Sequence, residues 1–435
     1  MTQLIVNGPS RLQGEFQVPG AKNSVSKLLA ASMLTPDTSE FTNAPRIEDI
    51  SVTEAICEAL GATIERPSER VVRVQTPAMT GSSVPPGLAR RNRLSVMMIA
   101  PLLHRNGSAV IASVGGDRIG PRPVDFHLDA YRQMGAEVIV ESDVYYLKAD
   151  RLVGTDITLP YPSVSATESI LLAAALADGR TSIRNAAIEP EVIDLALYLQ
   201  KMGAIIEHQV DRTFIVEGVR SLTGATHEVM PDRLVSASVG AAALLTHGDV
   251  FVRNARQRDM LTFLNTVRRI GGSFDIDAQG IRFYRSGPLK AIALETSVHP
   301  GFMTDWQSPC AVLLTQAEGM SIIHETVFED RFGYVEQLKA MGAVIEVYDT
   351  CLGGSPCRFA TKGARHSAVI RGPTRLIAAE LDVPDLRAGF TSLIAAIAAE
   401  GRSVLLDVEP IDRGYERIDT SFQELGASIE RVETS

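Results

Sequence analysis

Cysteine, tryptophan, basic charge and long apolar runs are all scarce in this chain, and each shortage removes a class of protein. Four cysteines in 435 residues are too few for a disulfide-built scaffold, and Cys57, Cys310, Cys351 and Cys357 show no metal-ligand spacing. Cys351 and Cys357 flank Gly353-Gly354 and could pair, although reduced surface thiols suit a cytosolic chain better. No apolar run approaches the roughly 18 to 20 residues of a membrane span. No basic segment leading into an apolar one opens the sequence, so a secretory signal is not expected. Lys and Arg number 42 against 52 Asp and Glu, a net charge of −10. That balance disfavours a broad nucleic-acid-binding face but leaves room for a local basic pocket. With 45% hydrophobic and 22% charged residues, usage is that of an ordinary globular protein. A cytoplasmic enzyme with neither membrane nor nucleic-acid partners is expected.

What the chain does have is a six-fold internal repeat. A bulky residue, a glycine and a small residue recur at Leu60-Gly61-Ala62, Met134-Gly135-Ala136, Met202-Gly203-Ala204, Ile270-Gly271-Gly272, Met341-Gly342-Ala343 and Leu425-Gly426-Ala427. Successive glycines (61, 135, 203, 271, 342, 426) stand 74, 68, 68, 71 and 84 residues apart. A second series runs in step: an Ala/Leu-rich stretch, a turn at Gly107, Gly179, Gly248, Gly319 or Gly401, then a strand-like run and a polar loop. Thr35-Pro36-Asp37 stands in for the first of these turns. A shared period in two interleaved signals marks a repeat architecture.

The third copy defines the unit. Ser165 to Ala177 carries apolar residues at helical spacing, with Gly179 placed as its C-terminal glycine. Arg180 to Arg184 reads as a short strand, Asn185 to Pro190 as a polar loop, and Val192 to Met202 as a second helix. Ile205 to Val210 and Thr213 to Glu217 read as paired strands around Asp211-Arg212. One such α/β module cannot bury its own apolar faces, whereas several packed together can. Six modules divide as three plus three. Both helix series are apolar on more than one side, which places helices inside each domain and sheets outside. An open solenoid is the alternative, but its repeats usually run roughly 20 to 50 residues.

Charged residues collect in corresponding segments. Lys22-Asn23 follows Gly20-Ala21; Arg91, Arg93 and Ser95 open a helix in the second repeat; Asp232-Arg233 does so in the fourth. Asp305 begins a helix in the fifth, Arg331 follows Phe328-Glu329-Asp330, and Asp385-Leu386-Arg387 opens a helix in the sixth. Asp412 to Arg417 follows the sixth repeat's first strand. An Asp at such a place caps the helix. A Lys or Arg there opposes the helix dipole, so something anionic should offset it. Helix starts with several arginines make an anion site, with phosphate the default ligand. Each charge taken singly also reads as solvated. The segment 113–125, with three glycines, two prolines, Asp117, Arg118 and Arg122, reads either as a shaped loop or as an ordinary surface turn.

On these residues the sequence resembles the enolpyruvyl transferases, most closely the branch that uses UDP-N-acetylglucosamine as acceptor. The similarity covers nearly the whole chain. It rests on Gly20-Ala21-Lys22-Asn23, the loop from Gly115 to Asp125, Arg184-Asn185-Ala186-Ala187 with Glu189-Pro190-Glu191, and Pro231-Asp232-Arg233. It continues through His299-Pro300 with Thr304-Asp305, Glu325 to Glu329 with Arg331, Asp385-Leu386-Arg387 and Asp412 to Arg417.

The resemblance implies an inside-out α/β barrel. One domain would span residues 21–229, the other 1–20 with 230–435, around a cleft, with the loop near 113–125 as a lid. It implies that Lys22, Asn23, Arg122, Arg387 and Arg413 hold phosphoenolpyruvate. The nucleotide-sugar site would be lined by Asn23, Arg93, Arg122, Pro123, Val124, Asp125 and Phe126, then Ser163, Val164, Ser165, Asp305 and Val327. Asp305 would be the base toward the sugar 3-hydroxyl and Asp117 the acid toward C3 of the donor, with Lys22 and Arg413 assisting. Lysine and arginines supply the cationic field, so neither a metal nor another cofactor is expected. The expected partners are small-molecule substrates, and the expected state is a monomer or weak homo-oligomer.

Three departures from the family pattern stand out. Many members carry a Cys, the target of fosfomycin alkylation, where this chain has Asp117, and others carry Asp. Beside Arg118 and Arg122 that carboxyl should stay ionised until substrate anions and lid closure raise its pKa. Tyr161-Pro162 precedes Ser163 where many relatives have a basic residue facing the diphosphate. The extra residues around Tyr348 to Arg365 are expected to form a surface excursion, since loops tolerate insertion. For Trp306, packing and pocket shaping both remain open. A paralogue with another acceptor and an inactive nucleotide-sugar-binding regulator are the competing functions. Retention of Lys22, Asp117, Arg122, Asp305, Arg387 and Arg413 together argues against the regulator.

Overall fold

The computed structural model describes residues 2–112, 115, 123–354 and 357–433. Asp117, Arg118 and Arg122 lie outside the described residues. The third module shows how the sequence makes the unit. The Ser163 side chain accepts from Ala166 N at 3.4 Å and starts the helix Val164–Ala174. The strand Arg180–Arg184, the helix Pro190–Lys201 and the antiparallel strands Ile205–Gln209 and Thr213–Glu217 follow. Asp156–Thr158 adds a parallel edge strand, so Ile183 stands between Ile157 and Phe214. Gly203 (φ +105°) directly follows the C-cap Met202, as its place in the repeat demands. Gly179 does not play that part for the first helix, which already ends at the C-cap Ala175. A further turn intervenes, tied by Asp178 N to Leu152 O at 2.8 Å, before Gly179 (φ +87°) leads into the strand.

The same order recurs along the chain. Buried helices Lys22–Ser32, Ile99–Asn106, Val164–Ala174, Arg233–Leu245, Gln307–Leu314 and Leu386–Ala398 each precede a central strand and a second helix. Every residue of Arg233–Leu245 is buried, and all of Leu386–Ala398 but the last. A helix apolar all round belongs inside, and here the sheets cover it. In most modules the central strand has a short parallel neighbour on one side and an antiparallel pair on the other. The second module keeps only a parallel bridge, Ser83 to Val110.

The described residues fall into two compact units. The N-terminal unit gathers Gly20 to Met230, three modules around one core that includes Leu28, Ile99, Leu171 and Tyr198. The C-terminal unit gathers the chain up to Pro19 and from Pro231 onward, with a core including Leu244, Phe283, Leu313 and Phe390. Two of its strands come from the start of the chain. Gln13–Gln17 is the parallel neighbour of Asp249–Arg253. Thr2–Gly8 lies between Gly401–Leu406 and Ser428–Glu433, antiparallel to both, with Leu4 facing Leu405 and Arg431. No helix among the described residues is long and apolar enough to cross a membrane.

Candidate active site

In the C-terminal unit the starts of three buried helices converge. Asp232 caps Arg233–Leu245, accepting from Leu234 N at 2.7 Å, and Asp385 caps Leu386–Ala398, accepting from Arg387 N at 2.8 Å. Asp305 sits in the short turn Thr304–Trp306 that leads into the third helix, Gln307–Leu314. Its carboxylate is held by Arg331 on one oxygen and lies 3.3 Å from Arg387 on the other. Arg387 also donates to Tyr415 Oη at 2.9 Å, and Tyr415 meets Ser238 Oγ at 3.2 Å. Side chains from the fourth, fifth and sixth modules thus make one polar cluster.

A buried carboxylate supports this cluster. Glu325 is fully buried and accepts four hydrogen bonds: Val327 N at 2.7 Å, Phe328 N at 3.1 Å, and Thr304 Oγ1 and Gln307 Nε2 at 2.9 Å each. Burial raises its pKa, against the pull of Arg331 and of these donors. Trp306 settles as packing. It is buried against Phe263 and Phe302, with the Arg233 guanidinium 5.5 Å from its ring centre.

In the N-terminal unit, Lys22 opens the helix Lys22–Ser32, and the anion that its position calls for is Asp49, 2.7 Å away. Asp49 begins the second helix of the same module, and its carbonyl accepts from Asn92 Nδ2 at 3.4 Å. Asn92 Oδ1 in turn accepts from Leu94 N at 3.0 Å, so the Lys22 pair is linked to the segment carrying Arg93. Arg93 donates to Pro123 O at 2.9 Å, and His127 Nε2 meets Ser165 Oγ at 3.1 Å. Burial, reinforced by Arg93, drives the His127 pKa down to about 3, so this bridge is a neutral imidazole. Two contacts thus join the candidate segments, Arg93 to Pro123 and, through His127, the start of the helix Asp125–Gln133 to Ser165. Along the helix Lys22–Ser32, Lys27 donates to Asn23 O at 2.7 Å and lies 3.6 Å from Glu168. Burial raises Glu168 to about 7, with Lys27 opposing and Glu191 and Glu189 adding to the rise.

The chain matches the EPSP synthase (3-phosphoshikimate 1-carboxyvinyltransferase) family over residues 6–422. It belongs to this family of enolpyruvyl transferases. The UDP-N-acetylglucosamine 1-carboxyvinyltransferase of Protochlamydia amoebophila (strain UWE25) is 45% identical over 441 residues, covering 100% of this chain and 95% of that protein. Its namesake in Chlamydia muridarum (strain MoPn / Nigg) is 45% identical over 434 residues, covering 99% and 98%. Among solved structures, the enolpyruvyl transferase NikO from Streptomyces tendae has a TM-score of 0.89 at 24% identity, covering 100% of this chain and 99% of that one. EPSP synthase from Acinetobacter baumannii follows at 0.72 and 18%, with both chains fully covered. At these identities the two structures speak for the fold.

Within this enolpyruvyl transferase the expected residues are placed unevenly. Asp305 and Arg387 meet directly, and Val327 shares the Glu325 carboxylate with Thr304, the residue before Asp305. Lys22, Asn23, Arg93, Pro123, Val124, Asp125, Phe126, Ser163, Val164 and Ser165 all belong to the N-terminal unit. Arg413 is the half-buried C-cap of the short helix Glu409–Asp412. Two flagged charges turn outward instead. Arg91 pairs with Glu48 at the surface, and Asp412 is gripped by Arg431 through two bonds of 2.9 Å. Asp49, Glu168 and Glu325 were not among the expected site groups; the first two lie in the opening turns of helices, and the third directly follows the strand Ala317–His324.

Among the described residues, Cys351 and Cys357 are free, and they gather with His324 and His366. Their spacing alone does not suggest ligands because two of the four donors come from neighbouring strands. The described residues between Tyr348 and Arg365 are more than a plain surface excursion. Phe359 is fully buried against the His366 ring, Lys362 lies 3.6 Å from Glu329, and Arg358 donates to Val327 O.

Proposed function

We propose that this chain transfers the enolpyruvyl group of phosphoenolpyruvate to the 3-hydroxyl of UDP-N-acetylglucosamine, releasing phosphate, the first committed step of peptidoglycan synthesis. The observation that carries the chemistry is the Asp305 carboxylate set between Arg331 and Arg387 at converging helix starts. The acceptor is supported by full-length relatives that bear that enzyme's name.

Phosphoenolpyruvate brings a phosphate and a carboxylate, so several fixed cations are needed, and Lys22, Arg122, Arg387 and Arg413 supply them with Asn23 alongside. An incoming anion competes with Asp305 for Arg387. As Arg387 turns to it, Asp305 loses a counter-charge and gains proton affinity, at the point where the sugar hydroxyl must give up its proton. Asp117 protonates C3 while the hydroxyl oxygen attacks C2, giving a tetrahedral ketal. Loss of phosphate and of one C3 proton restores the double bond in the enolpyruvyl ether. Arg93, Pro123 to Phe126 and Ser163 to Ser165 hold the nucleotide sugar, with Asp305 and Val327. We assign the activity to the cytoplasm and read the protein as a monomer or weak homo-oligomer.

The test is phosphate release from phosphoenolpyruvate with and without UDP-N-acetylglucosamine, in wild type, Asp117→Asn and Asp305→Asn. Release should require the acceptor, and each substitution should lower kcat by roughly 10²–10⁴-fold. Release with a different nucleotide sugar alone would reassign the acceptor. A protein that binds the nucleotide sugar yet releases no phosphate with any acceptor would refute the transferase reading.

A further inference from the structure

Four ligand-type side chains meet at one end of a sheet in the C-terminal unit. His324 ends the strand Ala317–His324, Cys351 follows Val344–Tyr348, and His366 precedes Ser367–Gly372. With Cys357 their donor atoms all lie within 4.8 Å of one another. Cys351 Sγ stands 3.7 Å from Cys357 Sγ and 3.3 Å from His366 Nε2. Two sulfurs each about 2.3 Å from a tetrahedral zinc stand roughly 3.8 Å apart, and a sulfur and a nitrogen roughly 3.5 Å apart. A disulfide needs sulfurs about 2.0 Å apart. The spacing is that of two ligands sharing a cation.

Both imidazoles are oriented from behind. His324 Nδ1 faces Glu295 Oε2 at 3.0 Å, and His366 Nδ1 donates to Ala364 O at 2.6 Å. Each contact holds the proton on Nδ1 and leaves the Nε2 lone pair available, which for His366 faces Cys351 Sγ, the outer-shell pattern of metal-bound histidines. His324 is fully buried, and its Nε2 has no hydrogen-bond partner. A buried nitrogen left in that condition needs an explanation, and a bound cation supplies one. The covering loop is shaped to the pair. A Cβ on Gly353 would stand 1.8 Å from His324 Nδ1 and 2.2 Å from Glu295 Oε2, so only glycine fits. Gly354 N donates to the same carboxylate at 3.2 Å, and Phe359 N donates to Cys357 Sγ at 3.4 Å.

We propose that His324, Cys351, Cys357 and His366 bind one zinc ion that pins the backbone at Cys351 and Cys357 to the end of the strand Ala317–His324. On binding, each thiol gives up its proton to solvent, and two thiolates with two neutral imidazoles around Zn²⁺ leave no net charge, which suits a partly buried centre. Four protein ligands close the coordination shell, so the ion is structural and does not act on substrate. Its influence on the active site is positional. The loop carries Arg358, which donates to the carbonyl of Val327 just beyond His324.

The experiment uses the full-length chain, purified without a histidine tag or chelator. Elemental analysis should find about one zinc per chain, released when a mercurial titrates the thiols. Cobalt exchanged into the protein should give the visible bands and thiolate charge-transfer absorption of a tetrahedral S₂N₂ site. Cys351→Ser with Cys357→Ser should lower occupancy at least about ten-fold, while Cys310→Ala keeps it. If the double variant does not fold, stoichiometry and the cobalt spectrum of the wild type decide. Protein from zinc-replete cells that holds no zinc and takes up neither ion would overturn the proposal. So would a Cys351–Cys357 disulfide in protein isolated with its thiols protected. Neither readout uses turnover, so failure here leaves the transferase reading standing, and failure of that reading leaves the zinc site standing.

Discussion

Arg387 stands 3.3 Å from Asp305 while donating to Tyr415 at 2.9 Å, so one guanidinium serves a carboxylate and a phenol at once. Lysine keeps the charge but not the fork that reaches both partners. Arg387→Lys should therefore lower kcat/KM for phosphoenolpyruvate by roughly 10–100-fold, mostly through KM. Binding of UDP-N-acetylglucosamine, followed by calorimetry, should change little. Equal weakening of both substrates would show that the residue acts on the fold instead.

Glu325 presents both oxygens to donors, two on each. An amide at this position sets its NH₂ against one of those donor pairs. Glu325→Gln should destabilise the protein by about 2–4 kcal/mol in urea unfolding. It should also raise KM for the nucleotide sugar, because the Val327 turn loses its anchor. A stable variant with unchanged KM would remove Glu325 from the supporting structure.

Glu168 gives a pH signature. Its pKa in the folded protein, about 7, lies above the value of an exposed glutamate. The folded state thus holds its proton more tightly, and stability falls as pH rises from about 4.5 through about 7. Glu168→Gln should remove a loss on the order of 1–3 kcal/mol. Melting temperatures of the two proteins should be close at pH 5, with the variant ahead at pH 8. A parallel decline in both would assign the pH dependence to other groups.

Asp117 should make the enzyme resistant to covalent inactivation by fosfomycin, since a carboxylate is a far weaker nucleophile than a thiolate. Asp117→Cys should introduce time-dependent loss of activity and a mass adduct on that residue. Inactivation of the wild type, with an adduct mapped anywhere in the chain, would contradict this.

The repeat was legible because its punctuation is local. Gly203 follows a helix end directly, and Asp232 and Asp385 cap helices through their own next few residues. Arg180–Arg184 and Thr213–Glu217 fall where alternation and turn residues put them. The partners of the site residues were not legible, because each pairing crosses modules or helices. Nothing near Asp305 in sequence points to Arg331, and nothing near Lys22 points to Asp49. The His324 cluster was hidden for the same reason, its donors being spread from residue 324 to residue 366.

The strand Thr2–Gly8 pairs on both sides with segments that begin at Gly401 and Ser428. During synthesis it leaves the ribosome early and must wait for nearly the whole chain before either neighbour exists. At ~5–20 residues per second the delay is tens of seconds, during which both edges of an apolar strand are open to other chains. The N-terminal unit lies wholly within that interval and has every strand it needs once Thr226–Glu228 emerges beside Ser39–Thr42. Completion of the C-terminal unit is therefore the late, aggregation-exposed event in the birth of this protein.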